Sequence, residues 1–174
     1  WNFLEYQRQG FIPEDVDMPT LVEDYFESNA FFENLTLKDG IELFFNNDNF
    51  DITIVTKGTE LGNKKKIDFL KKIFNFNENK IVALSLDDNK NCVNMSGGYF
   101  IDDCIQNLID VTTTNKKFLL INNVDAEWNR LPSYEAYGIT PPYRIMKKEM
   151  QITPPLTLKD IYNIITMVEG INND

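Results

Sequence analysis

The sequence predicts an open, parallel α/β sheet with helices packed on its faces. Three observations carry this expectation. Short apolar, β-branched runs recur through the middle of the chain. Patterns of helical period separate them. Polar residues stand at the carboxyl ends of the runs, where sheets of this kind bind ligands.

In order, 1–10 (WNFLEYQRQG) has helical character, and 11–20 is a polar connection containing Pro13 and Pro19. A second helix is expected over 21–27, capped by Thr20. The aromatic stretch 28–35 suits a turn with short helical pieces. A third helix is expected over 37–46, with Leu37, Ile41, Phe44 and Phe45 on one face. At 50–56 (FDITIVT) the pattern becomes that of a strand buried on both faces, ended by Gly58. A basic amphipathic helix is expected over 63–74, with Ile67, Leu70 and Ile73 inward and the lysines outward. Strands follow at 80–85 (KIVALS), 98–102 (GYFID, after a polar loop over 86–97) and 117–122 (KFLLIN), with a helix over 105–112 between the last two. The proline-punctuated 138–155 reads as irregular or extended. The terminal helix spans 156–171, with Thr157 as cap and Ile161, Ile164, Ile165 and Val168 inward. This alternation divides the chain into a helical cap segment and lead-in helix over 1–46, an α/β core over 47–130, and a C-terminal extension over 131–174 whose helix packs on the core.

Composition sets limits. The chain has 174 residues, 43% of them hydrophobic, enough for a real core. A net charge of −10 argues against nonspecific nucleic-acid or anionic-membrane binding, yet leaves room for a small phosphorylated ligand near a local cation. The two cysteines, Cys92 and Cys104, point weakly to a reducing, cytoplasmic setting rather than to a structural disulfide. With no histidine, zinc sites and Ser-His or Cys-His mechanisms are excluded. No run approaches the ~20 apolar residues of a membrane span, and no signal peptide is visible.

The expected site gathers at strand ends. Asp102 and Asp103 close a buried strand and repel each other unless a cation intervenes; Mg²⁺ uses one or two such carboxylates plus phosphate and water. Alternatively, one aspartate caps the following helix and the other is solvated. Thr56, with Lys57 and Gly58, forms a hydroxyl-bearing glycine turn suited to phosphate. Lys90, twelve residues before Asp102, is placed to neutralise phosphate. Asn122 and Asn123 end the last strand.

The order FDITIVTKGT, then DDNKNCVNMSGGYFIDD, then FLLINNVDAEWN resembles the haloacid dehalogenase-like phosphatase superfamily. More narrowly, residues 25–129 are similar to its 5′(3′)-deoxyribonucleotidase family of bacterial and phage type. The resemblance implies a three-layer, Rossmann-like parallel sheet with a small helical cap. It implies that Thr56 binds the phosphoryl group, that Lys90 is the third-motif lysine, and that Asp102 and Asp103 hold Mg²⁺. It implies hydrolysis of a nucleoside monophosphate through an aspartyl-phosphate. The aromatic segment with Trp1, Phe3, Tyr6, Tyr25, Phe31 and Phe32 would then cover base and sugar, or simply pack as core. The family's first motif, an apolar strand ending in Asp-x-Asp, has no counterpart here. The string DVDMPT over 15–20 lacks a preceding apolar strand and carries Pro19. The central strand is therefore expected from upstream residues or another chain, with 146–153 too polar to serve. A catalytically inert relative that binds nucleotide or protein is the alternative.

Overall fold

The computed structural model describes residues 3–120, 139–140, 144–145 and 156–171. The fold is mixed α/β, with two small parallel sheets and several helices. Two compact units divide the chain: 1–37 with 52–88, and 38–51 with 89–174. The expectations for Trp1, Asn122, Asn123 and 146–153 lie outside the described residues.

The first unit opens with helices α1 (Phe3–Arg8), α2 (Met18–Glu27) and α3 (Asn29–Glu33). Helix α2 starts at Met18 after Asp17, so Thr20 is inside the helix and gives its hydroxyl to Asp17 instead of capping. Pro19 is tolerated because first-turn N–H groups have no intrahelical partner anyway. Phe3, Tyr25, Phe26 and Phe31 meet edge-on at ring separations of 5.0–6.4 Å. Phe31 and Phe32 continue the chain of rings to Phe69. No residue of α2 or α3 is fully buried, so these rings form a half-exposed cluster rather than a closed core.

Strand β1 (Ile54–Lys57) pairs in parallel with β2 (Ile81–Leu84), Thr56 opposite Ala83. Between them runs α5 (Glu60–Phe74), numbered after α4 below. The strand expected at 50–56 is shorter and only half-buried, because Phe50 packs in the other unit against Phe44 and Tyr162, with centroids 5.5 and 5.6 Å away. Ile73, expected inward, is exposed in the last turn of α5. Thr59 caps α5 by accepting from Gly62 N–H at 3.1 Å.

The second unit holds α4 (Ile41–Phe45), β3 (Phe100–Asp102), α6 (Ile105–Asp110), β4 (Lys117–Leu119) and α7 (Leu158–Glu169). A two-residue antiparallel pair, β5 (Ile139–Thr140) with β6 (Arg144–Ile145), lies within the stretch expected to be irregular or extended. Helix α4 is half the predicted length. Gly40 takes φ 89°, and a Cβ there would stand 3.0 Å from Lys159 N, so the helix begins only after it. Leu37 is left outside the helix and exposed.

Strands β3 and β4 are parallel, Phe100 opposite Lys117. Leu156 adds a parallel bridge to Leu120 beyond β4. The core is Phe100, Ile105, Leu108, Val111 and Leu119. Helix α7 buries Leu158, Ile161, Tyr162, Ile165 and Thr166, a period of 3.6 residues. Val168, expected inward, is exposed in the final turn. Lys117 Nζ donates to Val111 O and, at 2.7 Å, to Leu108 O, closing carbonyls at the end of α6. Burial of this ammonium lowers its pKa.

The expected Thr157 cap is present as a full capping box: its hydroxyl accepts from Asp160 N–H at 3.1 Å, and Asp160 accepts from Thr157 N–H at 3.1 Å. The Thr157 hydroxyl holds the Asp160 carboxyl below the usual carboxylate range. A depressed carboxylate stabilises above its unfolded pKa, so this contribution is present at neutral pH and fades as pH falls through the folded pKa. Thr157→Ala is expected to cost about 1 kcal/mol at pH 7 and less in acid, read from urea unfolding at both pH values.

Candidate functional site

Asp102 is the last residue of β3 and is only 6% exposed. Three donors converge on its carboxylate. Lys90 Nζ donates to Oδ2 at 2.6 Å. Cys104 N–H and Asn107 Nδ2 both donate to Oδ1, at 2.8 and 3.0 Å. The cation seen beside the acidic strand end is Lys90, which the sequence places for phosphate rather than for Asp102. Asp103, one residue on, is half-buried.

Lys90 is placed by a loop stitched to the far end of α6. Asn89 caps the short 3₁₀ turn Lys90–Cys92 and donates to Asp110 at 2.9 Å. Asn91 Oδ1 accepts from the Thr112 N–H at 2.8 Å and from its hydroxyl at 3.1 Å. Thr113 Oγ1 accepts from Met95 N–H and donates to Val93 O, at 3.1 and 3.3 Å. Asn and Thr suit this work because their short side chains bond backbone groups nearby.

Asn107 was not assigned a role from sequence, although it sits in the NL pair after the acidic residues. Its signal was the five-residue offset, which returns the start of α6 toward Asp102. The Cys104 thiol is pushed up mainly by burial, with the charges of Asp102 and Asp103 adding to the effect. It stays a protonated thiol rather than a nucleophile.

A carboxylate offers about four lone-pair sites, and Asp102 has three donors on them. One direction at Oδ2 remains, with Asp103 beside it in sequence. Among the described residues no group of three or more acidic, cysteine or histidine side chains gathers.

Thr56, Lys57 and Gly58 belong to the first unit, while Lys90, Asp102 and Asp103 belong to the second. Thr56 is half-buried near the carboxyl end of β1, and Lys57 is exposed. The Gly58 N–H donates to Leu84 O at 3.1 Å, extending the β1–β2 ladder. It is spent on the sheet, and the free-N–H cradle expected at this glycine is reduced accordingly. Among the described residues no helix is long and apolar enough to cross a membrane. Compared with known proteins, the chain matches no family model, no curated protein and no solved structure.

Proposed function

We propose that the protein is a Mg²⁺-dependent phosphomonoesterase of the deoxyribonucleotidase type, acting on (deoxy)nucleoside monophosphates. The observation that carries this reading is the 2.6 Å Lys90–Asp102 pair at the carboxyl end of a parallel strand. The lysine loop and the acidic strand end are the two motifs on which the resemblance to the haloacid dehalogenase-like family rests. In this reading Thr56 donates its hydroxyl to a phosphoryl oxygen. Lys90 neutralises the charge that develops on the transferring group. Asp102 and Asp103 would hold Mg²⁺, which when bound screens phosphate charge. The half-exposed aromatic rings of α1–α3 would cover the base.

The attacking aspartate is not among the residues that the resemblance matches. The finer fold belongs to the same proposal: a three-layer sheet in which one more strand lies between β1 and β3. Parallel pairing turns the N–H and C=O groups of alternate residues away from the partner strand. The groups of Val55 and Ile101 point away from β2 and β4 in this way. An added strand would satisfy them, each being worth on the order of 1–3 kcal/mol when buried.

The full-length protein is expected to release phosphate from deoxynucleoside monophosphates only with Mg²⁺. Thr56→Val, which keeps shape and removes one donor, should lower turnover about 10²–10³-fold. Absence of turnover across a deoxynucleotide panel, together with no rise in melting temperature on adding Mg²⁺ and inorganic phosphate, would overturn the reading. A rise in melting temperature without turnover would instead favour the inert, ligand-binding relative. The engagement of Asp102 by three internal donors gives that second reading its support.

A further inference from the structure

Asn63 lies in the first turns of α5 and is 7% exposed. Its Nδ2 donates to Leu84 O at 2.8 Å and to Gly58 O at 3.1 Å. Both amide protons are used, which fixes the other end of the amide as oxygen. That Oδ1 is buried and, among the described residues, is the buried side-chain polar atom left without a hydrogen-bond partner. An acceptor in that state needs a donor from outside the chain, or it remains a cost.

Asn63 and Gly58 line a groove of about 570 Å³ along one face of α5, floored by Ile67, Ala83, Leu84 and Leu86. That volume lies in the range of small-molecule sites, ~300–1,000 Å³. The groove stands at the carboxyl ends of β1 and β2, where open parallel sheets receive ligands. An anion is poorly served here. The orphan atom is itself an acceptor, and the lining carries the carboxylates of Glu60, Asp68 and Glu78 beside the ammonium groups of Lys64 and Lys71. On the rim, Lys71 is held by Glu78 at 2.8 Å. What the groove offers a neutral guest, inside this charged rim, is an apolar floor and one orphan carbonyl.

We propose that this groove is a binding site for a small, flat, uncharged molecule that presents an amide or amino N–H to Asn63 Oδ1. The entry point is beside Gly58. A Cβ on that residue would stand 3.1 Å from Asn63 Oδ1 and 3.1 Å from Lys66 Nζ. Its absence leaves room for a small donor group beside Asn63 Oδ1, next to a Lys66 ammonium that is held on Lys57 O at 2.8 Å. Desolvation makes the bond formed there count for more than one made in water. The site is made entirely of first-unit residues and does not rest on the phosphatase reading.

The test is an NMR titration of the full-length protein with benzamide and with N,N-dimethylbenzamide, which has the same ring and no N–H. Benzamide is expected to shift the Asn63 side-chain amide and the Gly58 and Ser85 backbone signals saturably. The dimethyl compound should bind at least tenfold more weakly. Gly58→Ala, which fills the gap, should abolish the benzamide response. Leu86→Glu, at an exposed lining residue where folding is not at stake, should weaken it tenfold or more. Equal binding of the two probes, no shift at these signals, or a benzamide response indifferent to Leu86→Glu would each overturn the proposal.

Discussion

Lys90→Met is expected to destabilise the second unit by about 3–5 kcal/mol, the range for removing one partner of a buried ion pair. The side chains of Lys90 and Asp102 are 14% and 4% exposed, so water cannot replace the lost ammonium cheaply. The variant leaves a buried carboxylate with two donors, Cys104 N–H and Asn107 Nδ2. Methionine keeps the length of the stem, so the loss reports on charge rather than on packing. Adding Asp102→Leu to the same chain should recover much of the stability, because an apolar pair of similar volume does not carry the desolvation cost. Urea midpoints for the two single variants and the double variant give the coupling directly. A loss under about 1 kcal/mol for Lys90→Met would place the pair with ordinary surface bridges and remove the electrostatic basis of the site.

Leu108→Ala is the second change with a large expected effect, about 2–5 kcal/mol. Leu108 is fully buried with Phe100, Ile105, Val111 and Leu119. Helix α6 has six residues, too few to stand by itself in water. Its apolar face is therefore what holds it, and with it Asn107, against β3. Truncating Leu108 should lower the urea midpoint and speed hydrogen exchange at the Cys104 amide, which reports on the Asp102 carboxylate. Unchanged exchange at that amide alongside a lowered midpoint would show that the carboxylate keeps its geometry without the helix.

The four parallel strands were legible along the chain because each is a short apolar run bounded by turn residues, whereas the antiparallel pair at 139–140 and 144–145 lies in a proline-punctuated stretch with no such run. Thr157 could be read as a cap because its chemistry is local: a hydroxyl, then a carboxylate three residues on. Lys90 and Asp102 were each singled out from sequence, one for phosphate and one for a metal, but their 2.6 Å contact with each other is seen only in the structure. What failed was set by distant contacts. Nothing near Gly40 in the chain indicates that Lys159 will press against it. Phe50 continues the strand pattern at 50–56, yet it is drawn to Phe44 and Tyr162. Asn63 reads as a plain surface residue of a basic helix until the carbonyls of Gly58 and Leu84 are seen on its amide. Asn107 belongs to the same class, a polar side chain whose role is fixed by the strand it folds back upon. Among the described residues each parallel sheet pairs two strands, with Leu156 bridging to Leu120, and a wider sheet remains a proposal built on the resemblance.

Apart from the Asp110 carboxylate that accepts from Asn89, the loop that carries Lys90 is fastened by carboxamides, hydroxyls and backbone groups. Dissolved electrolyte weakens attraction between exposed charges and leaves such neutral fastenings largely untouched. The lysine is thus delivered to its partner with the same aim in brine as in dilute buffer, and its reach is a property of geometry rather than of the medium.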